Sequence, residues 1–104
     1  MQFGERIKEL RESQGLLQRQ LAASLEIDTP MFSKIERGDR RAKREQVLLL
    51  SKLLKVNEKE LLTLWLADQV YELVKDEDVA SNALRVAEEN FHYGKSQDGK
   101  ASTF

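Results

Sequence analysis

Six cationic side chains, Lys34, Arg37, Arg40, Arg41, Lys43 and Arg44, fall in one short segment that holds only two acids, Glu36 and Asp39. Lysine and arginine at that density have one principal chemistry, attraction for phosphate, and it depends on the local field rather than on total charge. The distinction matters here, because the whole chain has a formal net charge of −1 and a pI near 5.9. Residues 1–66 hold 13 Lys and Arg against 10 Asp and Glu, whereas residues 67–104 hold 4 against 8. A cationic first part is followed by an acidic second part.

Other chemistries find little support. Cysteine is absent, which excludes disulfide frameworks, thiolate zinc sites and thiol nucleophiles. One histidine, His92, excludes imidazole metal clusters and most catalytic triads, and it reads as a surface residue near a fraying helix end. Ser24 and Ser33 have no neighbouring base, and there is no glycine-rich phosphate loop. Asp76, Glu77 and Asp78 precede a helix, the ordinary place for acids that oppose its dipole. The expectation is a protein that is not an enzyme, with no metal, no cofactor and no small-molecule substrate. The longest uncharged and mostly apolar run, residues 61–67, is far short of the ~20 residues that span a bilayer. Glu5, Arg6, Lys8 and Glu9 interrupt any signal-peptide core, so a cytoplasmic protein without a membrane partner is expected.

A chain of 104 residues holds one compact domain plus a tail. One proline, five glycines and abundant Leu, Glu, Lys, Gln and Arg predict an all-α fold. The first helix spans about 3–13, with Phe3, Ile7 and Leu10 on one face and Gly15 as a left-handed stop. A second covers about 18–25 and buries Leu21, Ala22 and Leu25. Asp28 caps a third, which tolerates Pro30 in its first turn, turns Phe32 and Ile35 inward and closes at Gly38. A fourth covers about 44–55 and presents Val47, Leu50, Leu53 and Leu54. Asn57 paired with Glu60 opens a fifth, which continues to about Lys75. Along it, Leu61 and Trp65 give way on their side to Asp68 and Glu72, while Val70, Tyr71, Leu73 and Val74 move elsewhere around the axis. Such a helix packs on its own domain first and then leaves it. Trp65 and Tyr71 are read as core or dimer anchors. A last helix spans about 78–91, and residues 94–104 are expected to be a disordered tail.

Two short helices joined by a tight turn, the second with apolar residues inward and small or polar residues outward, make a helix-turn-helix. The segments FGERIKELR (3–11), QRQLA (18–22) and FSKIERG (32–38) resemble the Cro and phage-repressor type, or XRE-type, regulators over roughly residues 3–65. The resemblance implies a five-helix lambda-repressor-like DNA-binding domain over residues 1–66, with an extended fifth helix. Residues 67–93 are then a helical extension for dimerisation. It also implies roles. Thr29, Pro30, Ser33 and Lys34 face the major groove, where Lys34 can donate to guanine and the Thr29 methyl can touch thymine. Gln18 hydrogen-bonds a phosphate or braces the third helix, and Arg40, Arg41, Lys43 and Arg44 contact phosphates.

The chain departs from the family pattern in three ways. Leu17 replaces a Ser or Thr cap, so the second helix begins loosely or is capped another way. Glu26 replaces a turn glycine, requiring strain or a different turn. Pro30 and Met31 stand where polar residues are common, shifting readout toward shape and apolar contact.

The expected partners are double-stranded DNA and a second copy of the chain. Leu66, Val70, Tyr71, Leu73, Val74, Leu84 and Phe91 form the dimer contact, because most targets of this fold are twofold symmetric. Phage-type repressors, restriction–modification controllers and antitoxins remain undivided at this level. The alternative is an interaction module that keeps the helical fold without operator readout.

Overall fold

The computed structural model describes residues 1–99, with side chains as far as Gly94. Among them are six helices and no strand: α1 (Gln2–Ser13), α2 (Gln18–Ser24), α3 (Thr29–Arg37), α4 (Arg44–Leu53), α5 (Glu58–Val74) and α6 (Ala80–Gly99). The chain divides into two compact units, Met1–Tyr71 and the segment from Glu72 onward.

In the first unit the inward stripes meet as their spacing requires. Phe3, Ile7 and Leu10 of α1 join Leu21 and Ala22 of α2, Phe32 and Ile35 of α3, Val47 and Leu50 of α4, and Leu61 of α5. Leu25 and Leu54 close the same cluster from the helix ends, and Leu53, Leu62 and Trp65 pack against it half-buried. Burial at about 25 cal/mol per Å² of apolar surface makes this cluster the main favourable term holding the helices together.

The helix ends are satisfied partly as expected and partly by distant residues. Asp28 Oδ1 accepts from Met31 N–H at 2.7 Å, and Asn57 Oδ1 accepts from Lys59 N–H at 2.7 Å. Glu60 is not Asn57's capping partner, because its carboxylate takes Arg6 Nε of α1 at 2.6 Å. Helix α4 ends at Leu53, two residues before the expected end, since Lys55 adopts a left-handed φ of 60°. The released Leu54 carbonyl accepts from Gln14 Nε2 at 2.7 Å.

Asp68 has the least expected role. Met1 offers α1 no side-chain cap, and the Asp68 carboxylate supplies one from α5. Oδ1 accepts from Gln2 N–H at 3.1 Å and Oδ2 from Phe3 N–H at 2.9 Å. A carboxylate at this end satisfies two orphan donors and opposes the helix dipole. Asp68 therefore belongs to the first unit. The sequence boundary at residues 66 and 67 precedes it, whereas the units divide after Tyr71. Asp68→Ala is expected to destabilise the domain by about 1–2 kcal/mol, by analogy with the loss of an N-cap. Urea unfolding of the two proteins at neutral pH measures this.

Helix α6 begins two residues later than expected and continues to Gly99. The helix thus runs past residue 94, where the tail is expected to start, and residues 100–104 lie outside the described residues. His92 is exposed, with its ring edge-on to Phe91 at 6.0 Å.

Candidate nucleic-acid interface

Helices α2 and α3 are joined by four residues. Leu25 is buried, Ile27 packs half-buried on the core, and Glu26 takes a left-handed φ of 59°. The strained alternative is therefore the one adopted, at a cost of about 1 kcal/mol for a side chain in that region. Helix α2 is capped in an altered way. The Leu17 side chain has no oxygen to offer, and instead its own N–H donates to Gln20 Oε1 at 2.7 Å.

Helix α3 is held from below. Phe32 and Ile35 are in the core, and Glu36 beside them is buried although it is charged. Its carboxylate accepts Arg11 Nε at 2.7 Å and Nη2 at 3.2 Å, and Gln18 Nε2 at 2.8 Å. Arg11 also donates to the Leu16 carbonyl at 3.0 Å. Three elements (α1, the start of α2 and α3) meet on this one carboxylate. The Gln18 side chain thus makes a bracing bond to α3, one of the two roles that the resemblance allows. Gly4 lets α1 approach α3 closely, since a Cβ there would lie 2.3 Å from the Glu36 carbonyl oxygen.

With that side anchored, the opposite face is open. Thr29, Pro30 and Lys34 are exposed, and Ser33 is half-buried. The Ser33 hydroxyl accepts from Arg37 Nη1 at 2.9 Å, while Arg37 Nε pairs with Asp39 at 3.1 Å. Arg37, one of the six cations of the basic segment, lies one turn beyond Ser33 and is exposed.

Gly38, at φ 82°, closes α3 and its N–H bonds the Ile35 carbonyl. Asp39 and Arg40 N–H groups then both donate to the Lys34 carbonyl, at 2.8 and 3.3 Å. In the segment that follows, Arg40, Arg41 and Lys43 are exposed, with no ion-pair partner among the described residues. Ala42 between them is buried, and its carbonyl accepts the Trp65 indole N–H at 2.8 Å. The Arg44 guanidinium sits 5.1 Å from the Trp65 ring centroid, so this cation stacks on an aromatic face. Trp65 thus packs on its own domain.

The apolar residues expected at a dimer contact are mostly open. Leu66, Val70, Tyr71 and Leu73 are exposed in α5, with Val74 half-buried, and Leu84 and Phe91 are exposed in α6. Among the described residues no group of His, Asp or Glu is placed to hold a metal ion. No described helix is long and apolar enough to cross a membrane.

Two helices in this relation, one braced on the core and presenting a polar outer face beside a cationic loop, define a helix-turn-helix domain of the DNA-binding class. The family model for the helix-turn-helix domain matches residues 2–64, and the chain belongs to that family. No curated protein and no solved structure matches the sequence.

Proposed function

We propose that the protein is a sequence-specific, double-stranded DNA-binding regulator of transcription, of the Cro and phage-repressor type, acting as a homodimer on an operator. The observation that carries this reading is the outer face of α3. Thr29, Pro30 and Lys34 are exposed on a helix whose other side is locked to the core, and Arg40, Arg41 and Lys43 follow it with no acidic partner among the described residues. A helix of this kind fits the major groove, with its early residues toward base edges and adjacent cations on phosphates. Arg44 remains a phosphate contact in this reading if it leaves the Trp65 face. Leu66, Val70, Tyr71, Leu73, Val74, Leu84 and Phe91 supply the contact between copies. Occupancy would then follow protein concentration.

Base and phosphate roles separate by mutation. Lys34→Ala is expected to reduce discrimination at one base pair by about 1–3 kcal/mol, while Arg41→Ala weakens binding to every duplex and lowers the salt slope by about 1. Binding isotherms at several salt concentrations on matched and mismatched duplexes check both, and an Arg41→Ala protein of unchanged affinity sinks the phosphate assignment.

Selection from random duplexes at physiological salt tests the function as a whole. Enrichment of an inverted repeat, with half-sites about one helical turn apart, supports a dimeric regulator. Retention without enrichment favours the second reading, an interaction module. The exposed apolar residues of α5 and α6 and the acidic second part of the chain are the observations on its side.

A further inference from the structure

The cationic loop between α3 and α4 carries a mechanical problem. A polar, arginine-rich connection has few side chains to bury, and each residue left loose must be ordered when a ligand binds. Phosphate contacts made by such a loop lose affinity to that ordering. In this chain the front of the loop is tied by the Asp39 and Arg40 amides to the Lys34 carbonyl, and its rear by Lys43 N–H to Gln46 Oε1 at 2.8 Å. Between those ties lie Arg41 and Ala42, and among the described residues it is α5 that reaches them with a polar group. Trp65 donates its indole N–H to the Ala42 carbonyl at 2.8 Å, and its ring carries the Arg44 guanidinium 5.1 Å from the centroid.

We infer that Trp65 is a positioning residue for DNA binding: from the core side of α5 it fixes the loop backbone at Ala42, between the ties at Arg40 and Lys43, so that three cations are presented together to the phosphate backbone. Trp65 itself touches no nucleic acid. The indole suits this task better than a phenyl ring because it combines a large packed face with one N–H donor aimed at a backbone carbonyl. A merely packed aromatic residue would need no donor, and Ala42 would need only its buried methyl group. This inference rests on the DNA-binding reading above and adds to it a residue outside the helix-turn-helix.

Trp65→Phe keeps an aromatic ring in place and removes the donor. Limited trypsin digestion without DNA, mapped by mass spectrometry, is expected to cut after Arg40, Arg41 and Lys43 several-fold faster in this variant, because cleavage follows the population of the opened loop. Arg44→Gln, at an exposed position that leaves the core intact, is expected to speed the same cuts through loss of the stack. For full-length Trp65→Phe, affinity for specific and random duplexes alike should fall about tenfold, the scale of one hydrogen bond. Preference between the two duplexes should be preserved. A residue with only a general structural role would lower the unfolding midpoint without opening these three bonds selectively. Unchanged cleavage in both variants overturns the inference, as does wild-type affinity in Trp65→Phe. Absence of duplex binding by the wild-type chain overturns the DNA-binding reading and this inference together, whereas binding by the wild type with equal binding by the variant overturns this inference alone.

Discussion

Arg11→Ala is expected to destabilise the domain by about 3–5 kcal/mol, the usual cost of stranding one partner of a buried ion pair. The Glu36 side chain is 2% exposed, so its carboxylate keeps almost no water when the guanidinium is removed. Gln18 alone would then face the charge, with one neutral N–H in place of two charge-assisted bonds. Much of that loss reflects the stranded charge and not the net contribution of the pair. A double-mutant cycle with Glu36→Ala separates the two, and the double variant is expected to be less destabilised than the sum of the single ones. Urea midpoints at unchanged slope give all four corners. An Arg11→Ala loss below about 1 kcal/mol would mean that Glu36 finds another partner or water.

The pair should also resist pH from the basic side. Hydrogen bonding to Glu36 raises the Arg11 pKa above its already high ordinary value, against the opposing effect of burial. A group whose folded pKa is raised contributes fully below its unfolded pKa and loses that contribution only as pH climbs through the folded one. For arginine that window lies beyond any working pH, so Arg11 adds no slope to stability across the neutral range.

Gly4→Ala has the second largest expected effect, and its sign opposes helix propensity. In an exposed helix interior the change would gain about 1 kcal/mol. Here the new Cβ would stand 2.3 Å from the Glu36 carbonyl oxygen and 2.8 Å from that of Ile35. Both obstacles are backbone of α3, which cannot rotate away as a side chain would. The helices must separate, at about 2–3 kcal/mol for overpacking, and the outer face of α3 shifts with them. Thermal unfolding measures the stability loss. Duplex affinity, measured well below the midpoint, should fall as well. A variant as stable as wild type would show that α1 and α3 adjust freely. Gly15 suits its position for a different reason: nothing lies near its missing side chain, but its φ is 69°.

The inward positions of α1 to α4 were legible because their period is local. Phe3, Ile7 and Leu10, or Phe32 and Ile35, fall on one face of any helix that contains them, whatever that face later meets. The Asp28 cap and the Gly38 stop were legible for the same reason, since each acts within one turn of chain. Glu26 could be read as an anomaly without its resolution. Whether a turn bends or strains depends on how firmly Leu25 and Ile27 are held on either side, and both pack on the core.

Contacts between distant segments were not legible. Nothing near Asp68 in the chain marks it as the cap of α1, because the amides it serves belong to Gln2 and Phe3. Glu60 looked like a partner for Asn57 and belongs to Arg6. Trp65 could be assigned to a core or a dimer contact, but its hold on the Ala42 carbonyl exists only once α5 lies beside the loop. The sequence by itself determined the helical elements, their buried faces, the cationic segment and membership of the helix-turn-helix family. Only the tertiary structure decided which charges are locked inward, as Arg11 and Glu36 are, and which stay open, as Arg40, Arg41 and Lys43 do. The physical reason is range: periodicity and capping act over a few residues, whereas burial and pairing of charge depend on groups brought together across the whole fold.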